Sequence, residues 1–131
     1  MFNNAAGSEE AAASSPGPGP AHVAGKAAVI AVDGELDMAT APALKRRLLE
    51  FLRGTDDGVV VDLTKVTFID STAVGVLVGT QRGLPRGRRL ALACANSDVL
   101  RIFEITGLDG AFAIYSTVEE ALEWVEGSSS G

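Results

Sequence analysis

The stretch VVVDLTKVTFIDSTAVGVL, residues 59–77, contains a strand, a sharp boundary and the start of a helix in direct succession. Its first part, Val59 to Leu63, is rich in β-branched residues and too short for a helix, which predicts a strand buried on both faces. A helix is predicted from Ser71 to about Arg82, because Gly83 and Pro85 then stop it. A strand that leads almost directly into a helix is typical of α/β layered folds.

The same alternation continues towards the N-terminus. A short apolar run that ends in a turn predicts a strand from about Ala27 to Val32. The stretch TAPALKRRLLEFLRG then predicts an amphipathic helix, with Thr40 as N-cap, Pro42 in the first turn and Gly54 just after its end. Leucines recur at every fourth position and therefore share one face of this helix: Leu44, Leu48 and Leu52.

Two further strands and two further helices are predicted towards the C-terminus. RRLALACA is typical of a buried strand, and AFAIY of a short last one. Between them, SDVLRIFEITG predicts a helix capped by Ser97 and stopped by Gly107, and STVEEALEWVEG opens with a capping box of Ser116 and Glu119. We therefore predict an α/β fold with a mixed, mostly parallel sheet of about four to five strands and about four helices.

The two ends of the chain differ in composition from this central part. Residues 1–24 are mostly Ala, Gly, Ser and Pro, which predicts a disordered tail, and residues 127–131 are expected to form a short flexible end. The domain itself is expected to span residues 25–126. The stretch AHVAG predicts a weak first strand, and Gly25 and Lys26 are expected to form the turn that follows it.

Composition and charge exclude several classes of function. The net charge of −6 makes nucleic acid a poor partner, and the cluster Arg82, Arg86, Arg88 and Arg89 is expected to be a solvated loop. No apolar run approaches the ~20 residues of a membrane-spanning helix, and the N-terminus does not resemble a signal peptide, so we expect a cytoplasmic protein without a membrane partner. The single Cys94 is expected to be a buried, inert thiol.

Two interpretations of Ser71 are possible from the sequence. A hydroxyl at a helix N-terminus can cap the first amide N–H groups, which have no partners within the helix. However, Asp70 already supplies a capping carboxylate and Thr72 a second hydroxyl, so one helix end carries more capping groups than it needs. The alternative is that Ser71 is a surface hydroxyl that a kinase can phosphorylate. A phosphoryl group adds roughly −1.5 to −2 units of charge, which would disrupt a desolvated contact with a partner.

The chain resembles a known family in three blocks. GELDMATAPAL (residues 34–44), VVVDLTKVTFIDSTAVGVL (59–77) and SDVLRIFEITGL (97–108) are similar to the STAS-domain anti-sigma factor antagonists of bacteria. The blocks follow in the family's order and spacing, and the resemblance covers nearly all of residues 27–125. It implies a compact α/β domain without a cofactor that binds an anti-sigma factor with serine kinase activity and so releases a sigma factor.

The resemblance also implies a phosphorylation switch. The kinase would phosphorylate Ser71, the serine that directly follows the Asp of the family's DS[ST] motif, and a phosphatase would restore binding. Asp37 corresponds to an acid near the phosphorylation site, and Asp70 to the acid that presents the hydroxyl. The partner-binding surface is expected to comprise the acidic turn and the first turns of the following helix: Glu35, Asp37, Asp70, Ser71, Thr72 and Val74.

Two other functions compete with this interpretation. An enzyme could use Ser71 as nucleophile or a metal bound by Asp37, Asp62 and Asp70, but the only histidine, His22, lies in or beside the predicted tail and no G-x-S-x-G motif is present. Alternatively, a STAS domain could serve as a scaffold or accessory subunit of a signalling or transport complex. The intact DST sequence at 70–72 favours the phosphorylation switch.

Overall fold

The computed structural model describes residues 18–24 and 27–127. Strands and helices follow each other as the sequence predicts, and their bounds are β1 Pro18–Ala24, β2 Ala27–Leu36, α1 Ala41–Arg53, β3 Gly58–Ile69, α2 Ser71–Arg82, β4 Arg89–Ala93, α3 Ser97–Ile105, β5 Ala113–Tyr115 and α4 Val118–Gly127. The predicted α/β fold with about four helices is therefore confirmed. None of the helices in this part of the chain is both long and apolar enough to cross a bilayer.

The strands form one sheet in the order β1-β2-β3-β4-β5. β1 pairs with β2 in the antiparallel direction, whereas β2, β3, β4 and β5 are mutually parallel. All four parallel strands therefore present their carboxyl ends at one edge. Turns and loops at that edge lead into the helices, and ligands or partners of such sheets usually meet this edge.

β1 begins earlier than the sequence predicts. We assigned residues 1–24 to a tail, but Pro18–Ala24 form an edge strand; residues 1–17 lie outside the described residues. Proline is confined to edge strands and bulges because it lacks a backbone N–H, and the register with β2 shifts between Pro18 and Ala21. The Ala-, Gly-, Ser- and Pro-rich composition therefore gave no indication of this strand. The predicted Gly25–Lys26 turn and residues 128–131 also lie outside the described residues, whereas Gly127 still belongs to α4.

β2 and β3 are longer than predicted. Instead of ending at Val32 and Leu63, they continue together to Leu36 and Ile69, and their pairing shifts register between Ala31 and Asp33 and between Gly34 and Glu35. The pairing of β3 with β4 stops at Asp62, so the second half of β3 has only β2 as a neighbour. Only Val66 and Ile69 are buried after Leu63, and the apolar run that defines the first half of the strand is lost.

Apolar side chains are buried on both faces of the sheet, as predicted. On one face, α1, α2 and α3 cover the larger part of the core, which includes Ile30, Val61, Leu77 and Phe103. On the other face α4 packs against small residues of the sheet: Ala27, Val29, Val60, Ala91 and Ala93. The helices α2 and α4 thus lie on opposite faces.

The caps of two helices differ by one residue from the prediction. Asn96, not Ser97, is the N-cap of α3, and its side-chain oxygen accepts hydrogen bonds from the amides of Asp98 and Val99. At α4, the hydroxyl of Thr117 and not that of Ser116 accepts a hydrogen bond from the Glu120 amide, at 3.2 Å. In each case the neighbouring polar residue has a similar capping preference, so sequence alone could not choose between them.

Candidate functional site

Asp70 joins the two turns at the carboxyl ends of β2 and β3. One oxygen of its carboxylate accepts a hydrogen bond from the amide of Ala73 at 3.0 Å, which caps α2. The other accepts from the amide of Met38 at 3.1 Å, and the Asp70 amide donates to the carbonyl of Leu36 at 3.0 Å. Asp70 is therefore the N-cap of α2 and also the connection between α2 and the turn before α1.

The turn at Asp37 is held by its own hydrogen bonds. The Asp37 carboxylate accepts from the amides of Ala39 at 2.9 Å and Thr40 at 3.2 Å. The Thr40 hydroxyl in turn accepts from the amide of Asp37 at 2.9 Å and lies 3.2 Å from the carbonyl of Glu35. Thr40 is the N-cap of α1 by position, but its side chain makes no capping hydrogen bond to the helix. Its hydroxyl stabilises the turn instead.

The Ser71 side chain is exposed to solvent. It is the first residue of α2, and the capping position belongs to Asp70. Among the described residues, its hydroxyl makes no hydrogen bond, so the capping interpretation of Ser71 is wrong. Thr72, the next residue, is also exposed. The helix end thus presents free hydroxyls to solvent beside an anchored carboxylate.

Two apolar side chains that were not predicted from the sequence are exposed close to Asp70 in the fold. Met38 is 71% exposed and Phe68 is 49% exposed, although both belong to the strand-to-helix region of the domain. Phe68 lies in register with Glu35 on the neighbouring strand, and the Met38 amide donates to Asp70. The exposure of Phe68 could have been predicted from the sequence. Phe68 precedes the buried Ile69 in a strand, and adjacent strand residues point to opposite faces.

Val74 does not belong to this surface. We expected it to contact a partner from the first turns of α2, but it is only 6% exposed and packs in the core of the three-helix face. The reason is the helical period, because Val74 and Leu77 share the face that points at the sheet. Glu35, Ser71 and Thr72 are exposed, whereas Asp37 and Asp70 are half-buried.

A shallow groove separates α1 from α2 and begins at Thr72. Its volume is about 350 Å³, and Lys45 and Leu49 of α1 face Gly75, Val76, Gly79 and Thr80 of α2 across it. A methyl group added at Gly75 or Gly79 would meet nothing within 4 Å, so packing does not require either glycine. Glycine inside a helix costs about 0.5–1 kcal/mol relative to alanine. The two glycines therefore keep the groove open at a cost in stability.

The groups considered for catalysis are separated or already paired. Within the described residues, no group of His, Cys, Asp and Glu is placed to hold a metal ion. Asp62 accepts a hydrogen bond from the Thr64 hydroxyl at 2.6 Å, whereas Asp37 and Asp70 bind backbone amides. Cys94 is buried as predicted, and this burial raises the pKa of its thiol. A raised pKa leaves less of the reactive thiolate at neutral pH.

The fold and this surface define a small α/β domain that presents an unpaired serine hydroxyl at a capped helix N-terminus. The model of the STAS domain family matches residues 20–121, and the chain belongs to this family. It is 30% identical over 100 residues to the anti-sigma-F factor antagonist RsfB of Mycobacterium tuberculosis, covering 76% of this chain and 82% of RsfB.

Solved structures agree with this assignment. An anti-sigma factor antagonist from Mycobacterium paratuberculosis superposes with a TM-score of 0.73 at 30% identity, over 81% of this chain and 91% of that one. The Bacillus cell fate determinant SpoIIAA, solved in its phosphorylated form, gives a TM-score of 0.61 at 26% identity, over 80% of this chain and 96% of that one.

Proposed function

We propose that this protein is an anti-sigma factor antagonist whose binding is switched off by phosphorylation of Ser71. In the unphosphorylated state it binds an anti-sigma factor with serine kinase activity, and the sigma factor is released. The observation that carries the proposal is the Ser71 hydroxyl, which is exposed at the first turn of α2 and unbonded within the described residues. The names of the similar proteins support the same role.

Phosphorylation of Ser71 would change the charge of the surface and leave the fold intact. The cap of α2 is the Asp70 carboxylate, and a phosphoryl group on Ser71 replaces none of its hydrogen bonds. The partial positive charge of a helix N-terminus also tolerates an anion. In a partner interface, however, an unpaired buried charge costs about 2–5 kcal/mol, which lowers affinity tens to thousands of fold.

The proposed contact surface combines this hydroxyl with apolar area. Met38 supplies an exposed apolar side chain, and the groove between α1 and α2 continues from Thr72. Glu35 adds a negative charge at the rim. Apolar anchors surrounded by a polar rim are typical of specific interfaces, and such an interface excludes water from the serine that controls it.

The proposed cycle needs catalytic groups only on the partners. The anti-sigma factor supplies the kinase and its ATP, and a phosphatase removes the phosphoryl group and restores binding. The chain itself acts as substrate and ligand, not as an enzyme. This role places it in the cytoplasm together with the transcription machinery that it regulates.

Site-resolved mass spectrometry of the chain from its native cell tests the proposal. We expect phosphate on Ser71 within the peptide that spans residues 66–82, and a kinase-like anti-sigma factor that copurifies with the unphosphorylated form only. If Ser71 carries no phosphate in any growth condition and the copurifying protein is a permease or another transport component, the proposal fails.

A further inference from the structure

A second cleft lies at the edge of the sheet that is formed by β5. Tyr115 and Trp124 line it together with the carboxylates of Glu120 and Glu123, and its volume is about 380 Å³. The two aromatic rings lie 6.4 Å apart between centroids and are tilted by 39°. The cleft is shallow and open to solvent, and it has both aromatic and acidic lining residues.

Trp124 is held in place by Arg89 of β4. The guanidinium of Arg89 donates a hydrogen bond to the Trp124 carbonyl at 3.0 Å, and its central carbon lies 4.6 Å from the centroid of the indole ring. One positive charge therefore already stacks on this ring, and it restricts the positions that the ring can adopt. The indole is thus pre-organised beside the cleft.

One of the two carboxylates is also fixed. An oxygen of Glu120 accepts hydrogen bonds from the hydroxyls of Ser116 at 3.2 Å and Thr117 at 3.3 Å, which leaves its second oxygen available. Glu123 is exposed and has no ion-pair partner in the part of the chain that the structure describes. The cleft thus has two carboxylates without an ion-pair partner in residues 27–127, next to aromatic rings, one of which already carries the Arg89 guanidinium.

Aromatic rings combined with carboxylates are suited to a cation. A guanidinium or ammonium group gains from the ring faces and from the carboxylates together, whereas an anion or a purely apolar group would desolvate them without compensation. α4 carries Glu119, Glu120 and Glu123 in its first two turns and no Lys or Arg, so these acids add to the negative potential. The cationic group that fits the cleft is therefore an arginine or lysine side chain.

The charges favour an occupant from another molecule. Residues 1–17 and 128–131, which lie outside the described residues, contain no Lys or Arg. A second copy of the chain is disfavoured by its net charge of −6. Among the described strands, β5 lies at the edge of the sheet and no described strand pairs with its outer side, which an extended segment of a partner can use.

We propose that this cleft is a second docking site, which takes an Arg or Lys side chain from an extended basic segment of a protein partner. α4 and the cleft lie on the face of the sheet opposite α2, so this site is separate from the surface around Ser71. A partner bound there stays bound whatever the state of Ser71. The chain would then carry one contact that phosphorylation controls and one that it does not.

Trp124 is the only tryptophan of the chain, so its fluorescence reports directly on the cleft. The probe is the peptide acetyl-Val-Arg-Val-amide, titrated into the full chain at low salt up to about 10 mM, because a short peptide at an open site binds in the millimolar range. We expect a saturable change in fluorescence that disappears at 1 M salt. The uncharged peptide acetyl-Val-Gln-Val-amide should give no saturable change.

Matched variants on the same helix locate the site. Glu123→Gln should weaken binding about two- to five-fold, the usual contribution of one exposed ion pair, whereas Glu119→Gln removes an equal charge outside the cleft and should have less effect. Ser71→Ala should leave the titration unchanged, which separates this result from the fate of the proposed switch. The proposal is wrong if no saturation occurs, if the Gln peptide binds equally, or if both Glu variants behave alike. It is also wrong if the Trp124 signal depends on protein concentration alone, because a second copy would then occupy the cleft.

Discussion

The carboxylate of Asp70 lies within hydrogen-bond distance of two amides on different elements, 3.0 Å from Ala73 and 3.1 Å from Met38. This one side chain therefore fixes both the first turn of α2 and the turn that precedes α1. It also determines where Ser71 lies relative to Met38. Substitutions at positions 70 and 71 should therefore have different effects, one on stability and the other on binding.

Asp70→Ala should destabilise the domain by about 1–3 kcal/mol, because it removes the cap of α2 and leaves the amide of Met38 without its acceptor. Asp70→Asn should be milder, since one amide oxygen can still accept from Ala73. Urea unfolding measures both. Glu104→Ala, an exposed acid of α3, is the control and should change the free energy of unfolding by less than about 0.5 kcal/mol. Equal effects of the Ala variants at positions 70 and 104 would contradict the anchoring role.

Ser71→Ala should leave the free energy of unfolding within about 0.5 kcal/mol of the original chain, because the hydroxyl makes no hydrogen bond among the described residues. Asn96→Ala, which removes a side chain that does cap a helix, should cost about 1 kcal/mol in the same urea experiment. A loss of similar size at Ser71 would restore the capping interpretation.

The same serine controls binding in the proposed function. Ser71→Ala should bind the anti-sigma factor normally and resist phosphorylation, whereas Ser71→Asp should bind at least about ten-fold more weakly if an unpaired charge costs 2 kcal/mol or more. Titration calorimetry with the copurified partner measures both affinities. Thr72→Ala is the control and should remain a kinase substrate. Binding of the Asp variant at full strength would show that one carboxylate does not disrupt the contact, and phosphoserine would then have to be introduced.

Gly79→Ala should stabilise α2 by about 0.5–1 kcal/mol, since the added methyl group meets no atom within 4 Å. The same change narrows the groove between α1 and α2, so it should weaken partner binding. Gly110→Ala, in a loop far from the groove in sequence and also free of close contacts, should leave binding unchanged. A more stable variant that binds as tightly as the original chain would remove the groove from the proposed interface.

Gly58→Ala should destabilise the domain by roughly 2 kcal/mol or more. Gly58 has a φ of +138°, and a methyl group there would lie 1.9 Å from the carbonyl oxygen of Arg89. The first residue of β3 would have to move away from β4. Thermal unfolding should show a clear loss, and Gly75→Ala, which meets nothing within 4 Å, should show none.

The junction of β3 and α2 could be predicted from sequence because its signals are local. A short β-branched run, an Asp and then small apolar residues lead to the observed helix Ser71–Arg82 without adjustment. Strand ends are less predictable, because they depend on a neighbour elsewhere in the chain. β3 continues beyond Leu63 since β2 continues beside it, and nothing within residues 64–69 indicates that pairing.

At the candidate site, the types of residue could be predicted from the sequence better than the orientation of their side chains. The acid and the hydroxyls of the DST sequence lie at the sheet edge as expected, but only the structure distinguishes the buried Val74 from the exposed Thr72. Met38 and Phe68 were missed because an apolar residue usually indicates core, and their exposure depends on how the two turns are held together. The cleft beside Trp124 requires contacts between β4, β5 and α4 that no local pattern contains.

The unbonded hydroxyl of Ser71 has a consequence for how a signal would be stored. Since the Ser71 hydroxyl makes no hydrogen bond to the described residues that modification would break, and the Asp70 anchor remains, the phosphoryl group can be added and removed without refolding the described domain. The information would reside in the charge of a rigid surface and not in its shape. A partner would distinguish phosphorylated from unphosphorylated Ser71 by electrostatic repulsion. Because the range of this repulsion is about 8 Å at physiological salt, the partner must approach the surface closely.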